Sequence, residues 1–158
     1  GEGTQSGPKG YDSIEFFLSA NPGESPKPLV KIASGGEVSR IMLAIKSILE
    51  KSDPVSTLIF DEIDSGISGK AAEKVALSLK ALSRNKQVLC ITHLPQIASK
   101  ADHHIFINKK IIDNKTEVIT NYLNEDQKLK AIAELFSGEK ISMESISTVK
   151  EFRNKARG

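Results

Sequence analysis

The sequence contains a single cysteine, Cys90, so it can form neither a disulfide bond within the chain nor a cysteine cluster that would hold a metal ion. Cys90 stands in the apolar run Val88–Ile91, which predicts a buried strand residue. No apolar run approaches the roughly 20 residues of a membrane-spanning helix, and no secretory signal peptide is recognisable. These absences favour a cytoplasmic protein with no membrane partner.

An excess of charge of one sign is also absent. The formal net charge is +2 and the isoelectric point is about 8.6, which is too mild to indicate a nucleic-acid interface by itself. The chain contains no internal repeat, heptad array or low-complexity region. Its 158 residues, 39% of them hydrophobic, are sufficient for one domain with a core. We expect residues 1–10 to be a linker or a cloning scar and residues 11–158 to form that domain.

The first hundred residues predict strands and helices in alternation. A strand over Ile14–Ala20 is followed by a proline-rich loop. A helix then begins at Glu37. Its apolar face recurs at helical spacing and comprises Val38, Ile41, Met42, Ile45, Ile48 and Leu49.

Two continuous apolar runs follow, at Thr57–Phe60 and Gln87–Thr92, and each is typical of a strand buried on both faces. Helices are predicted over Ala72–Leu82 and Leu94–Lys100, the second with Pro95 in its first turn. Since strands here alternate with helices, we predict parallel strands covered by helices.

The pattern changes after residue 100. Strands over His104–Ile112 and Thr116–Tyr122 flank a hairpin turn at residues 113–115. A helix containing Leu129 to Phe136 ends at Ser137-Gly138, and a last helix is predicted over residues 142–153. The predicted class is therefore α/β, with a mostly parallel sheet, flanking helices and a C-terminal β-hairpin followed by helices.

A serine and two glycines, Ser34, Gly35 and Gly36, precede Glu37 at the start of the long helix. The free N–H groups and the dipole of a helix N-terminus attract anions, and glycines let a phosphate approach the backbone. The alternative is an ordinary serine N-cap. On its own the stretch favours that alternative.

Polar residues follow both apolar strands: Asp61-Glu62 after the first and His93 after the second. Ligands of parallel α/β sheets lie beyond the carboxyl ends of the strands. Asp61 suits Mg²⁺, directly or through water, Glu62 suits activation of a water, and His93 suits a hydrogen bond to a terminal phosphate. Each residue alone also fits an ordinary loop position. His103 and His104 have no cysteine or acidic residue at metal-ligand spacing, so they do not indicate a metal site.

In chain order these features resemble the C-terminal half of an ABC-type ATPase head, the C-terminal lobe of a P-loop NTPase fold. Within that class, the sequences Ala33–Lys46, Ile59–Gly69 and Ile91–Ala98 resemble the RecN family, bacterial SMC-like ATPases of DNA double-strand-break repair. The resemblance covers residues from about Tyr11 to the C-terminus. A nucleoid-associated protein of the bacterial cytoplasm is implied.

The resemblance also implies roles for the residues. Ser34–Glu37 would be the signature motif that contacts ATP held by a second head. Asp61 would hold Mg²⁺ through water, Glu62 would be the catalytic glutamate, and His93 the switch histidine. The D-loop would comprise Ser65, Gly66, Ile67, Ser68 and Gly69, with Ser68 where many ABC ATPases have Asp.

The sequence contains no Gly-x-x-x-x-Gly-Lys-Ser/Thr motif, the loop that cradles the phosphates of ATP. The resemblance implies that an N-terminal lobe carries this motif, that a long coiled coil separates the lobes, and that two heads form an ATP-dependent homodimer acting on DNA. We therefore expect the chain alone to be inactive. The alternatives are the head of another SMC-like or RecF-like ATPase, a non-catalytic interaction module and, more remotely, a transporter nucleotide-binding domain.

Overall fold

The structure is a computed structural model that describes residues 10, 14–19, 23–32, 34–112, 115–137 and 146–149. The chain divides into two compact units, residues 1–34 and residues 35–158. Each unit is described by itself.

The N-terminal unit contains a minimal antiparallel pair, β1 (Phe17–Leu18) and β2 (Lys27–Pro28), followed by the single-turn helix α1 (Leu29–Ile32). The Leu29 N–H donates to the Phe16 carbonyl at 2.8 Å. The strand predicted over Ile14–Ala20 is thus only two residues long in the described part. The predicted loop closes with a short strand, which tolerates Pro28 because a two-stranded ribbon consists of edges only.

The second unit begins with the helix α2 (Gly35–Ile48). The strands β3 (Thr57–Phe60) and β4 (Gln87–Cys90) pair in parallel, with Thr57 opposite Gln87 and Phe60 opposite Cys90. The helix α3 (Gly69–Leu82) connects them, which is the β-α-β order that the sequence predicts. The α/β class is confirmed, and β4 ends two residues before the predicted strand end.

The main core lies on one face of the β3–β4 pair. It contains the strand residues Leu58 and Phe60 together with Leu43 of α2. Helix α3 contributes Ala76, Leu79 and Leu82. The turn after β3 adds Ile63, and the segment after β4 adds Ile97. Alternation along a strand sends its neighbours to the opposite face, where Ile59 is 70% exposed and Leu89 and Ile91 are also exposed. The prediction of strands buried on both faces is wrong for the described chain.

A short helix α4 (Pro95–Ala98) follows β4, with Pro95 at its start as predicted. The strands β5 (Ile105–Ile112) and β6 (Lys115–Tyr122) form an antiparallel hairpin. Lys115, which the sequence assigns to the turn, is instead the first residue of β6, because its backbone still pairs with Ile112 across the hairpin. The rest of the predicted turn, residues 113–114, lies outside the described residues.

The helix α5 (Glu125–Ser137) packs on α4 and starts four residues before the predicted apolar stretch. A smaller core cluster joins Ala98, Ile132, Ala133 and Val149. Residues 146–149 are helical, in agreement with the last predicted helix. The remainder of that helix and the predicted glycine cap at Gly138 lie outside the described residues.

Candidate functional site

Two chain segments meet where the parallel strands β3 and β4 end. Since the strands run in the same direction, the residues after Phe60 and after Cys90 emerge at one edge. They line an open cavity of about 460 Å³ formed by Asp61, Glu62, Asp64, Ser65, Gly66, Ile91, Thr92 and His93. Asp61, Glu62 and His93 are exposed to solvent there. The cavity thus combines three carboxylates, two of them exposed, with an imidazole.

The turn after β3 is internally hydrogen-bonded. The Glu62 N–H donates to Asp61 Oδ1 at 2.9 Å, and the Ser65 N–H donates to the Glu62 carbonyl at 2.9 Å. Glu62 has a φ of 55°, in the left-handed region that a non-glycine residue occupies only at a cost of about 1–3 kcal/mol. Such strain persists only where the surroundings enforce it.

Helix α2 supplies these surroundings. A Cβ on Gly36 would lie 2.7 Å from the Glu62 carbonyl oxygen and 2.8 Å from Ser65 Cβ. A Cβ on Gly35 would collide with the Glu62 carboxylate. The two glycines therefore let the start of α2 pack directly on the turn, and they place the Glu62 carboxylate beside the positive end of the helix dipole.

Two polar residues in the second turn of α2 extend this contact. Ser39 Oγ donates to the Asp61 carbonyl at 2.7 Å. Arg40 Nη1 donates to the carbonyls of Ile63 at 3.1 Å and Ser65 at 2.7 Å. A guanidinium satisfies several carbonyls at once because its donors are fixed in one plane. The backbone of the Glu62 turn is thus held from α2 on both sides of Asp64.

Asp64 joins the turn after β3 to the segment after β4. Its Oδ2 accepts from Thr92 Oγ1 at 2.6 Å and from the His93 N–H at 2.8 Å, and it lies 3.0 Å from His93 Nδ1. Burial opposes ionisation of this carboxyl, but the hydrogen bonds from Thr92 and His93 and the nearby imidazole outweigh burial, so its pKa lies below the ordinary 3.8. Asp64 is therefore a buried, ionised anchor.

Cys90, the last residue of β4, is half-buried and packs against the main core. Burial, with additional repulsion from the carboxylates of Asp64 and Asp61, raises the pKa of its thiol from 9.0 to about 12. The thiol is thus protonated at neutral pH. Cys90 lies in a strand, as the sequence predicts, but it is only partly buried.

The chain is similar to bacterial proteins named DNA repair protein RecN. It is 46% identical to that of Treponema pallidum over 93% of this chain and 26% of the relative. It is 46% identical to that of Halalkalibacterium halodurans over 82% of this chain and 23% of the relative, and 42% identical to that of Bacillus subtilis over 90% and 25%. The chain is therefore a fragment of a RecN-family protein. It spans about a quarter of the length of the curated relatives that it matches.

No protein-family model matches the chain. A solved structure, described as "Structural biochemistry of ATP-driven dimerization and DNA stimulated activation of SMC ATPases", is 19% identical with a TM-score of 0.48, covering 78% of this chain and 81% of that one.

In this RecN-family segment the structure brings five of the twelve predicted site residues to one cavity. Asp61, Glu62, His93 and the first D-loop residues Ser65 and Gly66 share the cavity. The predicted D-loop continues to Gly69, the first residue of α3. Ser68 occupies the N-cap position of α3 without a side-chain cap, and its carbonyl accepts from the Ala71 N–H at 3.2 Å.

The predicted signature residues are distributed differently. Gly35 and Gly36 pack against the Glu62 turn of their own chain, and Glu37 lies in the first turn of α2, where a carboxylate is favourable for the helix dipole. Ser34 belongs to the N-terminal unit. The roles of all four toward a nucleotide remain predictions.

Asp64, Ser39 and Arg40 were not among the predicted site residues of this RecN-family segment. Asp64 carried a signal in the sequence, since a third acidic residue closely follows Asp61-Glu62. Ser39 and Arg40 had none, because polar residues on a helix are ordinarily solvent-facing. Within the part of the chain that the structure describes, no group of three or more His, Cys, Asp or Glu residues is arranged to hold a metal ion.

Among the described helices, none combines the length and apolar character that crossing a membrane requires.

Proposed function

We propose that the chain is the C-terminal lobe of a RecN-type ATPase head, which contributes to ATP hydrolysis at an interface between two heads. The observation that carries this proposal is the meeting of Asp61, Glu62 and His93 around one cavity at the carboxyl edge of two parallel strands. That edge is where α/β sheets bind their ligands.

Asp61 and Glu62 suit complementary tasks with Mg²⁺ and ATP as cofactors. Mg²⁺ is held by few carboxylates plus waters and phosphate oxygens, and the exposed Asp61 fits that donor set through water. Bound Mg²⁺ would neutralise charge on the phosphate oxygens. The Glu62 carboxylate would accept a proton from the water that attacks the terminal phosphate. His93, exposed on the other side of the cavity, would hydrogen-bond to that phosphate.

The start of α2 would act on a different nucleotide. Ser34, Gly35, Gly36 and Glu37 would meet the γ-phosphate of ATP bound to a second head, as a helix N-terminus suits an anion. The Glu62 carboxylate now lies against Gly35. Phosphate binding there would require this carboxylate to move, because the two anions repel one another. The D-loop, Ser65–Gly69, would lie between the two heads with Ser68 as a neutral residue.

The parts of an ATPase head that this chain does not contain would come from other segments of the complete protein. A P-loop would be supplied by an N-terminal lobe, and the exposed apolar residues Ile59, Leu89 and Ile91 offer a surface of the kind that marks a protein interface. Because the relatives are named for DNA repair, we infer that the complete protein acts on DNA in the bacterial cytoplasm.

The test is ATP hydrolysis by a complete RecN-type protein that contains this chain. We expect Glu62→Gln to lower kcat at least about 100-fold while ATP binding persists, because the amide keeps the shape of the side chain but accepts no proton. Glu73→Gln, an exposed change on α3, is the matched control. The isolated chain should show no turnover. Turnover by the isolated chain, or normal hydrolysis with Glu62→Gln, would overturn the proposal.

A further inference from the structure

The chain contains one buried carboxylate at the cavity that is not assigned a role in hydrolysis above, that of Asp64. Its side chain is only 5% exposed, whereas the side chain of His93, which lies against it, is 73% exposed. A buried charge is costly unless it is hydrogen-bonded. The identity of the groups that surround Asp64 therefore indicates why it is there.

Three groups of the segment after β4 contact Asp64 Oδ2. The Thr92 hydroxyl donates at 2.6 Å and the His93 N–H at 2.8 Å, and His93 Nδ1 lies 3.0 Å away. The Thr92 hydroxyl oxygen in turn accepts from the Leu94 N–H at 3.0 Å. One oxygen thus fixes the backbone of His93 and faces one edge of its ring.

We propose that Asp64 is a positioning residue that sets both the orientation and the tautomer of His93. This inference rests on the proposed function of His93. A carboxylate can only accept a hydrogen bond, so it selects a proton on the Nδ1 that faces it. Nε2, on the far side of the ring, is then the atom left for a ligand in the cavity.

The charge of Asp64 has a second consequence. To donate from Nε2 to a phosphate while Nδ1 keeps its proton, the ring must carry both protons. The negative charge of Asp64 at 3.0 Å compensates the positive charge of such a ring. Asp64 also belongs to the turn that carries Glu62, and Arg40 holds the carbonyls of its two neighbours, Ile63 and Ser65. The groups on both sides of the cavity are thus fixed through one residue.

The first experiment measures the tautomer of His93 directly. Long-range ¹H–¹⁵N NMR spectra of the chain, with His93→Gln to assign the ring signals, should show the Nδ1–H tautomer when the ring is neutral. Asp64→Asn should shift the ring toward the Nε2–H form, because a neutral acceptor binds the proton more weakly than a carboxylate. Asp102→Asn, which removes an exposed ion pair with Lys80, is the control. A wild-type Nε2–H tautomer would overturn the proposal whether or not Asp64→Asn folds.

The second experiment measures ATP hydrolysis by the complete protein. Asp64→Asn should lower kcat by roughly 10- to 100-fold with little change in ATP affinity. Combined with His93→Ala, it should add almost nothing to the effect of His93→Ala alone, since it acts through that ring. Losses that multiply would overturn the positioning role. If His93→Ala itself left hydrolysis normal, the proposed function of His93 would fail, whereas the tautomer measurement would still decide the role of Asp64.

Discussion

Gly35 and Gly36 approach the same turn but meet different parts of it. The hypothetical Cβ of Gly35 meets the end of the flexible Glu62 side chain, whereas that of Gly36 meets the Glu62 carbonyl and Ser65 Cβ. The Glu62 side chain can rotate away. The Glu62 carbonyl cannot, because Ser39 and Arg40 hold the carbonyls of the residues before and after it. The two adjacent glycines therefore have different structural importance.

We expect Gly36→Ala to destabilise the chain by about 1–3 kcal/mol, the range for overpacking a close contact. Gly35→Ala should be close to neutral, because the new Cβ meets only the end of the Glu62 side chain, which can rotate away. Urea unfolding of the two variants measures the difference. Equal stability of the two variants would show that the contact between α2 and the turn is looser than described.

The reactivity of the Cys90 thiol depends on its burial and on the nearby carboxylates of Asp64 and Asp61. Its raised pKa of about 12 means that almost no thiolate forms at pH 8, and the thiolate is the reactive species. We expect very slow reaction with iodoacetamide in the native chain and rapid reaction in urea. Asp64→Asn should accelerate the native reaction, because it removes a charge that opposes the thiolate. An equal rate for native and unfolded chains would contradict this environment.

At the scale of elements, α2 separates two faces. Gly36, Ser39, Arg40 and Leu43 share the face that contacts the rest of the unit, at the i, i+3, i+4, i+7 spacing of a helix stripe. Of the apolar face that the sequence predicts, Ile41 is half-buried and the other five residues are exposed, namely Val38, Met42, Ile45, Ile48 and Leu49. The prediction that this face is buried in the chain is therefore wrong for the described residues. Periodicity predicted the helix correctly, but it cannot tell which partner, inside or outside the chain, covers each face.

Arg40 connects α2 to the turn that carries Glu62, and its removal should weaken the packing of α2 on this turn. Arg40→Ala removes two hydrogen bonds from a charged donor, each of a kind that contributes about 1.5–3 kcal/mol. Water replaces part of this at the partly exposed site. We therefore expect a loss of roughly 2 kcal/mol in unfolding free energy, with faster amide hydrogen exchange at the Ser65 N–H. Arg84→Ala, on an exposed residue after α3, is the control and should have little effect.

The candidate site was largely predictable because its residues directly follow strands whose order along the chain implies a parallel pair. Asp61, Glu62 and His93 needed only that order. Asp64 was not predictable as a positioning residue, since its partners Thr92 and His93 lie 28 and 29 positions away in sequence. Nor was the left-handed backbone of Glu62, which depends on the close approach of Gly36. Contacts between distant segments were the part that single-sequence patterns did not contain.

At the scale of the whole molecule, one face of the β3–β4 pair packs in the core and the other face is exposed. Leu58 and Phe60 are buried in the core, while Ile59 between them is exposed. Ile59 lies opposite Leu89, and Ile91 is exposed as well. A group of adjacent exposed apolar residues is typical of a surface that another segment covers. If an N-terminal lobe covers it, the same substitution should have different effects in the isolated chain and in the complete protein.

Ile59→Thr tests this, because threonine keeps the β-branched shape and makes the face polar. In the isolated chain we expect a change within about 0.5 kcal/mol, together with weaker binding of an apolar fluorescent dye. In the complete protein the same change should cost about 1–3 kcal/mol, as a hydroxyl is then buried without a partner. Leu58→Thr, on the core face one position away, should destabilise both forms by several kcal/mol. An equally small effect of Ile59→Thr in both would mean that this face stays uncovered, and the proposed lobe partner would then have to bind elsewhere.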